Sequence, residues 1–232
     1  MHSQQSESAI ARTGEEVVRR FRQLYAQGAV NLFEGNISAR AGEVILMTPS
    51  QQDKEALTPA MLVHLSADGT VLKPGRGTAG EELAPSSEYR MHLELYRLRP
   101  DAGAVVHTHS PFATAFALAG LPVTGELPEL MLQFGGEFPC APYGRPGTDE
   151  VFTTFPRHFG EEHRDAVLLA NHGLVCVGGD VTQAFARAEA AEKLAKTVWL
   201  ARALGSESPL PAGEAEALLA RWAGARPNTE RR

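Results

Sequence analysis

The spacing of apolar residues predicts a helix near the start of the chain. Phe21 and Leu24 share one face of a helix over residues 15–27, and Gly28 follows as a stop signal. Residues 1–13 are polar and lack the apolar centre of a secretory signal. We therefore expect a loose lead-in there and a cytoplasmic protein.

Hydrophobic periodicity and turn residues predict the remaining elements, with Ser87 as the N-cap of a helix. Short apolar runs separated by glycine or asparagine favour hairpins, and longer amphipathic runs favour helices. The predicted elements are hairpins over 36–47 and 65–72, a loop over 73–85, a strand pair over 166–177, and helices over 87–98, 111–119, 148–159, 181–204 and 212–224.

Residues 103–109 are predicted to form a strand inside a sheet. The first half, through Val106, is apolar at every position, which is typical of a strand buried on both faces. Strands and helices alternate without a regular strand–helix–strand rhythm, so we expect an α/β fold in which helices flank a mixed sheet. We expect one domain over residues 1–232, with a core over about 15–204 and a helical tail over 205–232.

Composition narrows the possible partners. The chain has 28 acidic and 22 basic side chains, a net charge of −6, and its basic residues are scattered, so nucleic acid is not an expected partner. Its apolar runs are far shorter than the ~20 residues that span a bilayer, so no membrane segment is expected. Cys140 and Cys176 are too few for a disulfide framework, and we interpret both as packing residues.

A pair of histidines ends the predicted buried strand. Alternate residues of a strand share a face, so His107 and His109 project together while Thr108 points away, which suits two imidazoles on one ion. A catalytic zinc site usually takes three protein ligands, and His172, in a tight turn after an apolar strand, is the candidate for the third. The alternative is that these are hydrogen-bonded histidines at strand ends.

Two hydroxyls and a carboxylate stand together at a predicted helix start. Ser86, Ser87 and Glu88 lie where free N–H groups and the helix dipole favour an anion such as phosphate. The alternative is that Ser87 is only an N-cap and Glu88 only complements the dipole. Asn36, after Gly35, is similarly either a ligand contact or part of an ordinary bend.

Taken in order, these motifs resemble the class II aldolase/adducin family over about residues 15–204. An ordered set of motifs is far more specific than any one of its members. The matching segments are Gly35-Asn36-Ile37-Ser38-Ala39-Arg40, Thr48-Pro49-Ser50, Pro85-Ser86-Ser87-Glu88, His107-Thr108-His109-Ser110, Pro139-Cys140-Ala141-Pro142-Tyr143, Gly147-Thr148 and Asn171-His172-Gly173.

The resemblance implies a three-layer α/β/α sandwich around a mixed, mainly antiparallel sheet. It also implies a homotetramer with its active sites at subunit interfaces. Zn²⁺, or another divalent metal ion, would be held by His107, His109 and His172. Glu88 would transfer a proton and would also touch the metal in the empty enzyme.

The reaction that the resemblance implies is a zinc-dependent, reversible cleavage of a ketose 1-phosphate, similar to fuculose 1-phosphate, to dihydroxyacetone phosphate and an aldehyde. Asn36, Ser50, Ser86 and Ser87 would contact the phosphate of this sugar substrate. Gln51 stands where the family usually has glycine. Tyrosines that serve the aldehyde half in some family members are absent from the corresponding segments here.

Other reactions of the family share this metal and glutamate chemistry. The alternatives are a dehydratase of methylthioribulose phosphate and a decarboxylase of sugar-acid phosphates. A pentulose-phosphate 4-epimerase is less favoured, because that branch carries aspartate where this chain has Glu88. A non-catalytic adducin-like protein is also less favoured, because the adducin head lacks the zinc histidines.

Overall fold

The computed structural model describes the backbone of residues 2–225 and the side chains of residues 7–225. Its α-helices are α1 His2–Ala26, α2 Tyr89–Leu98, α3 Pro111–Ala119, α4 Pro128–Phe134, α5 Val181–Ala203 and α6 Glu214–Gly224. Its strands are β1 Asn36–Ala41, β2 Val44–Met47, β3 Val63–Leu65, β4 Val71–Lys73, β5 Gly75–Arg76, β6 Glu82–Leu83, β7 Ala104–Thr108, β8 Val123–Thr124, β9 Glu137–Phe138, β10 Cys140–Ala141, β11 Ala166–Leu169 and β12 Gly173–Gly178.

One large sheet organises the molecule. Its strand order is β10-β11-β12-β7-β1-β2-β3-β4, so β7 lies in the interior of the sheet. The β10–β11 pair is parallel and the other neighbouring pairs of this sheet are antiparallel, which confirms the mixed, mainly antiparallel arrangement. The predicted hairpins form as β1–β2, β3–β4 and β11–β12.

Alternation along the strands divides the apolar side chains between two cores. Val106 packs into a core shared with α1, α3 and α5, whereas Val105 packs into a second core with α2. Helices therefore cover both faces of the sheet, as a three-layer sandwich requires. Asn36 pairs with His107 in the antiparallel register, and His107 shares its face with Val105. Both side chains consequently lie on the α2 face.

The first helix is longer than its amphipathic part. α1 begins at His2, so the prediction of a loose lead-in over residues 1–13 is wrong for the described residues 2–13. Phe21 and Leu24 are buried as predicted. Residues 2–13 contain neither glycine nor proline, and a helix already fixed by packing extends at little cost. Within the described residues, none of the helices is long and apolar enough to cross a bilayer.

Two other predicted elements are corrected. Residues 148–159 are not one α-helix but a 3-10 turn at Asp149–Phe152 and a π-helix at Pro156–Glu161. Pro156 has no N–H for a regular ladder, and Phe155 and Phe159 are buried and pack edge to face. The predicted loop over residues 73–85 contains the ribbon formed by β5 and β6.

Candidate active site

A cavity of about 740 Å³ lies between the ends of β1, α2 and the turn before β12. Two groups of residues at this cavity carry the side chains that could bind a ligand or take part in a reaction. The histidine cluster consists of Glu88, His107, His109 and His172. The serine wall consists of Ser50, Gln51, Lys54, Ser86 and Ser87.

The histidine cluster brings four ligand-type side chains together. One nitrogen or oxygen from each lies within 4.8 Å of the others. Nε2 of His107 lies 2.9 Å from Nε2 of His109 and 3.3 Å from Oε2 of Glu88. Nε2 of His172 lies 3.1 Å from Oε1 of Glu88. The structure therefore brings together all four residues that were predicted from the sequence as metal ligands.

Strand pairing explains why two of these histidines meet the third. His107 lies opposite Val175 of β12, and Thr108 lies opposite Leu174, so the start of β12 runs close beside the histidine strand. A Cβ on Gly173 would lie 2.4 Å from Thr108 O and 3.1 Å from His109 Cδ2. This position therefore requires glycine for the close approach.

The turn before Gly173 sets the direction of His172. Asn171 adopts φ 55°, a left-handed conformation that asparagine tolerates better than most residues, and His172 N donates to Leu169 O at 3.0 Å. The His172 side chain is 6% exposed. The predicted strand–turn–strand arrangement is confirmed.

The donor set fits a metal ion. His107 Nδ1–H donates to Leu174 O at 2.9 Å, so its Nε2 presents a lone pair to the cluster. In the neutral ring that lone pair faces a carboxylate oxygen of Glu88, which is an acceptor as well, so the contact is stabilised by a cation between the two atoms. In the absence of a metal ion that cation is a proton, because burial lowers the pKa of His107 but the Glu88 carboxylate outweighs it and raises the pKa overall. With Zn–N bonds of about 2.0–2.1 Å, two ligand atoms of a tetrahedral site lie roughly 3.3 Å apart. The contacts of Glu88 with His107 and His172 are close to this value.

Burial and neighbouring charge set the protonation states in the cluster. Burial alone would raise the pKa of Glu88, but the imidazoles of His107 and His172 outweigh it and hold the pKa well below the usual range. Burial, together with His107, lowers the pKa of His109 to about 3. At neutral pH, Glu88 is therefore a carboxylate and His109 a neutral imidazole, the forms in which both groups bind metals.

A series of buried hydrogen bonds orients the Glu88 side chain and connects it to the interior of the protein. Asn36 Nδ2 donates to Glu88 Oε2 at 3.0 Å, and Asn36 Oδ1 lies 2.5 Å from His92 Nε2. His92 Nδ1 lies 2.7 Å from Ser38 Oγ, which lies 2.8 Å from Tyr96 OH. Burial lowers the pKa of His92 to about 3, so this ring is neutral and carries one N–H.

Because the Glu88 carboxylate can only accept hydrogen bonds, it fixes which atom is the donor in each hydrogen bond of this series. Because Asn36 must donate to Glu88, its carbonyl oxygen accepts from His92 Nε2–H. His92 Nδ1 then accepts from the Ser38 hydroxyl, and Ser38 accepts from Tyr96 OH. We refer to these five residues as the Glu88 relay.

The serine wall is built from two chain segments joined by backbone hydrogen bonds. Ser86 N donates to Thr48 O at 3.1 Å, and Ser50 N donates to Ala84 O at 3.0 Å. Ser87 is exposed and does not cap α2, so that prediction is wrong; Ser86 Oγ instead accepts from Glu88 N at 3.3 Å. The helix begins one residue later than a Ser87 cap requires, because Glu88 occupies the N-cap position with its side chain in the histidine cluster.

Gln51 adopts a backbone conformation that is uncommon for a residue with a side chain. Its φ is 52°, in the left-handed region that glycine enters without strain. The loop therefore follows a path that glycine would adopt easily, while a glutamine side chain lines the cavity.

Sequence reasoning missed the residues that support the cavity. Glu88, His92 and Tyr96 are four residues apart and share one face of α2, a spacing that could have revealed the relay. Lys54 is also in the cavity wall, but nothing in its sequence neighbourhood indicates burial.

Comparison with known proteins gives consistent matches. Residues 15–199 match the family described as Class II Aldolase and Adducin N-terminal domain. A 5-methylthioribulose-1-phosphate/5-deoxyribulose-1-phosphate aldolase of Rhodospirillum rubrum is 34% identical over 81% of this chain and 80% of its own length. A 5-deoxy-D-ribulose 1-phosphate aldolase of Bacillus thuringiensis serovar kurstaki is 34% identical over 90% of this chain and 95% of its own length. A solved L-fuculose 1-phosphate aldolase superposes with a TM-score of 0.79 at 29% identity, over 92% of this chain and 97% of that one.

Proposed function

Because the chain belongs to the class II aldolase and adducin family and is a metal-dependent aldehyde-lyase of that class, we propose that it reversibly cleaves a ketose 1-phosphate to dihydroxyacetone phosphate and an aldehyde. The observation that carries this proposal is the convergence of Glu88 with three histidines beside a polar cavity. In the cleavage, the C3–C4 bond breaks, C3 gains a proton, and the C4 hydroxyl loses one as the aldehyde forms.

We propose that His107, His109 and His172 hold a zinc ion, with Glu88 as a further ligand when substrate is absent. Three protein ligands with one open position are typical of catalytic zinc. When bound, the ion supplies Lewis-acid stabilisation of negative charge on the substrate's ketone oxygen. Another divalent cation would suit the same nitrogen and oxygen donors.

Glu88 is the proposed proton-transfer group at C3. Oε2 accepts a hydrogen bond from the Asn36 amide, whereas Oε1 contacts Nε2 of His172 at 3.1 Å without hydrogen-bond geometry. A carboxylate held at one oxygen is oriented, and its other oxygen can take up a proton. Glu88 would remove the C3 proton of dihydroxyacetone phosphate during condensation and return it during cleavage.

The substrate phosphate is proposed to bind at Ser50, Ser86 and Ser87, which line the cavity beside Glu88. Asn36 is proposed to contribute as well. Its amide nitrogen has two hydrogens and only one is used by Glu88, so the other can reach a ligand oxygen. Anchoring the phosphate would place C3 near the carboxylate and would convert remote binding energy into orientation.

Among ketose 1-phosphates we propose a 5-deoxypentulose 1-phosphate as the preferred substrate. The names of two relatives include 5-deoxyribulose 1-phosphate, and one of them also includes 5-methylthioribulose 1-phosphate. Cleavage of the former would give acetaldehyde, which has no hydroxyl to recognise. This agrees with the lack of tyrosines in the segments Gly125-Glu126-Leu127-Pro128-Glu129 and Arg221-Trp222-Ala223-Gly224.

We further propose a single-domain, cytoplasmic protein that assembles as a homotetramer with active sites at subunit interfaces. Leu118, Leu121 and Leu204 are 68%, 51% and 88% exposed, and burial of such side chains favours association. Cys140 and Cys176 are free thiols, which suits a reducing compartment.

A product-resolved turnover assay tests the reaction. The zinc-loaded protein is incubated separately with 5-deoxyribulose, 5-methylthioribulose and fuculose 1-phosphates and with a phosphorylated sugar acid, and dihydroxyacetone phosphate, lost water and carbon dioxide are measured. We expect dihydroxyacetone phosphate from at least the first substrate. Dehydration or decarboxylation without this product would replace the proposal by one of the other family reactions.

A further inference from the structure

Lys54 is a buried cation in the cavity wall. Its side chain is 2% exposed, yet it lines the cavity together with Ser50 and Ser86. It is the one lysine or arginine among the described residues that line this cavity, whose other formally charged side chains are Glu34 and Glu88. The serine wall therefore contains a single positive charge.

The ammonium of Lys54 has no anion at ion-pair distance within the described chain, and the Asp53 carboxylate acts on it only from farther away. It makes no hydrogen bond or ion pair there, and its contact is with the ring of Phe21, whose centroid lies 5.0 Å from Nζ. Buried charges are normally paired, because removing them from water is costly. An unpaired lysine beside a cavity therefore indicates an anionic ligand.

The charge of Lys54 persists at neutral pH. Burial lowers its pKa from 10.5 to about 8, and the nearby Asp53 offsets only part of this effect. The side chain is consequently protonated at pH 7, and a bound anion would stabilise that form further.

We propose that Lys54 binds the phosphate of the substrate through a charge-assisted hydrogen bond from Nζ. This inference rests on the proposed function and deepens it by adding a cation to a pocket otherwise formed by hydroxyls and amides. A phosphate dianion entering beside Glu34 and Glu88 would be repelled by both carboxylates, and Lys54 offsets that repulsion. The cation–π contact of Nζ with the Phe21 ring would limit the movement of the ammonium.

Titration calorimetry with inorganic phosphate at pH 7 tests the role. It is performed on the full-length protein with and without zinc, because phosphate could also bind to a metal. We expect Lys54→Met to weaken phosphate binding about 10- to 100-fold in both forms, the range for loss of a hydrogen bond to a charged group. Lys54→Arg should retain more affinity than Lys54→Met.

Lys73→Met is the matched control, because Lys73 is exposed at the end of β4, outside the cavity lining. It should leave phosphate affinity unchanged. Without phosphate, Lys54→Met should melt at or above the wild-type temperature, because methionine removes a buried unpaired charge while keeping the chain length. A merely structural lysine would instead give a lower melting temperature and unaltered phosphate affinity.

Phosphate affinity of Lys54→Met within twofold of wild type would overturn the inference. If Lys54→Met were too unstable to measure, Lys54→Gln would be used with the same criterion. Failure of the proposed function is a separate result: a wild-type protein that binds phosphate through Lys54 but cleaves no ketose 1-phosphate would reject the aldolase proposal and keep the lysine site.

Discussion

The histidine cluster and the serine wall share one cavity but are constructed differently. His107 is fixed by strand pairing on both sides, and Gly173 permits the close approach of the turn that carries His172. The serine wall comes from two loop segments held by a few backbone hydrogen bonds. It also contains Gln51 in a left-handed conformation and the unpaired Lys54.

This difference suggests separate roles for the two parts of the site, one in the reaction itself and one in the selection of the substrate. Strand register tolerates little adjustment, because a shift of one residue would move His107 to the opposite face of the sheet. Loops accept substitutions at lower cost. We infer that the histidine cluster sets the reaction type, and that the serine wall adjusts which phosphorylated sugar is accepted.

The largest effect is expected from the histidine cluster. His172→Ala removes one of three proposed nitrogen ligands, so the bound metal should fall from one ion per chain to a small fraction, and turnover should be lost with it. The melting temperature should change little, because catalytic zinc contributes less to folding than structural zinc. Elemental analysis and thermal melting measure both quantities.

His64→Ala is the control for this variant, since His64 lies on β3 and outside the cluster. It should retain full metal content. Full zinc occupancy in His172→Ala would show that the ligand assignment is wrong.

The second largest effect is expected at Glu88. Glu88→Gln retains the size of the side chain but cannot carry the proton, so kcat should fall about 10²- to 10⁴-fold. The three histidines should still retain the metal. Glu94→Gln, on the same helix but paired with Arg97, is the control and should have near-normal kcat. Steady-state kinetics with metal analysis distinguishes these results, and a near-normal kcat in Glu88→Gln would remove its assigned role.

A smaller effect is expected from the Glu88 relay. Ser38→Ala leaves His92 Nδ1 without its donor and frees the imidazole to change its tautomer. We expect kcat to fall roughly tenfold, equivalent to about one hydrogen bond, with KM and metal content unchanged. Tyr96→Phe, farther along the relay, should reduce kcat less than Ser38→Ala. The reverse order would contradict transmission through the relay.

The smallest effect is expected at Gln51. A left-handed conformation costs a non-glycine residue about 1–2 kcal/mol, whereas glycine loses more entropy on folding, so Gln51→Gly should alter stability little. It should expose the backbone beside Ser50 and lower KM for the phosphorylated substrate about two- to fivefold, or by roughly 0.4–1 kcal/mol. An increase in KM would show that the glutamine side chain itself binds substrate.

The sequence predicted the histidine cluster because its geometry follows from short-range rules. Alternation predicts that His107 and His109 share a side, and they do meet although β7 ends at Thr108, one residue before His109; the glycine after His172 indicates the turn. The mixed sheet was predicted for a similar reason, since alternation and turn residues are local signals. The resemblance to a known family added the order of the motifs, and the comparisons confirm the family.

What could not be predicted depends on contacts between distant segments. Lys54 is buried by α1, whose Phe21 lies under its ammonium, and no pattern near residue 54 reveals that packing. The helix α4 was missed although Pro128 begins it and Gly135 ends it in a left-handed conformation, because seven residues give too short a periodic pattern. The π-helix at Pro156–Glu161 likewise depends on the burial of Phe159 and of Phe155, which directly precedes the helix.

The most direct test of metal-dependent aldol cleavage is to titrate zinc into chelator-treated protein while measuring dihydroxyacetone phosphate released from 5-deoxyribulose 1-phosphate. Activity should be absent at the start, rise in proportion to zinc, and reach a plateau at one ion per chain, with no comparable rise in His172→Ala. Full release of dihydroxyacetone phosphate by the metal-free protein would contradict the account.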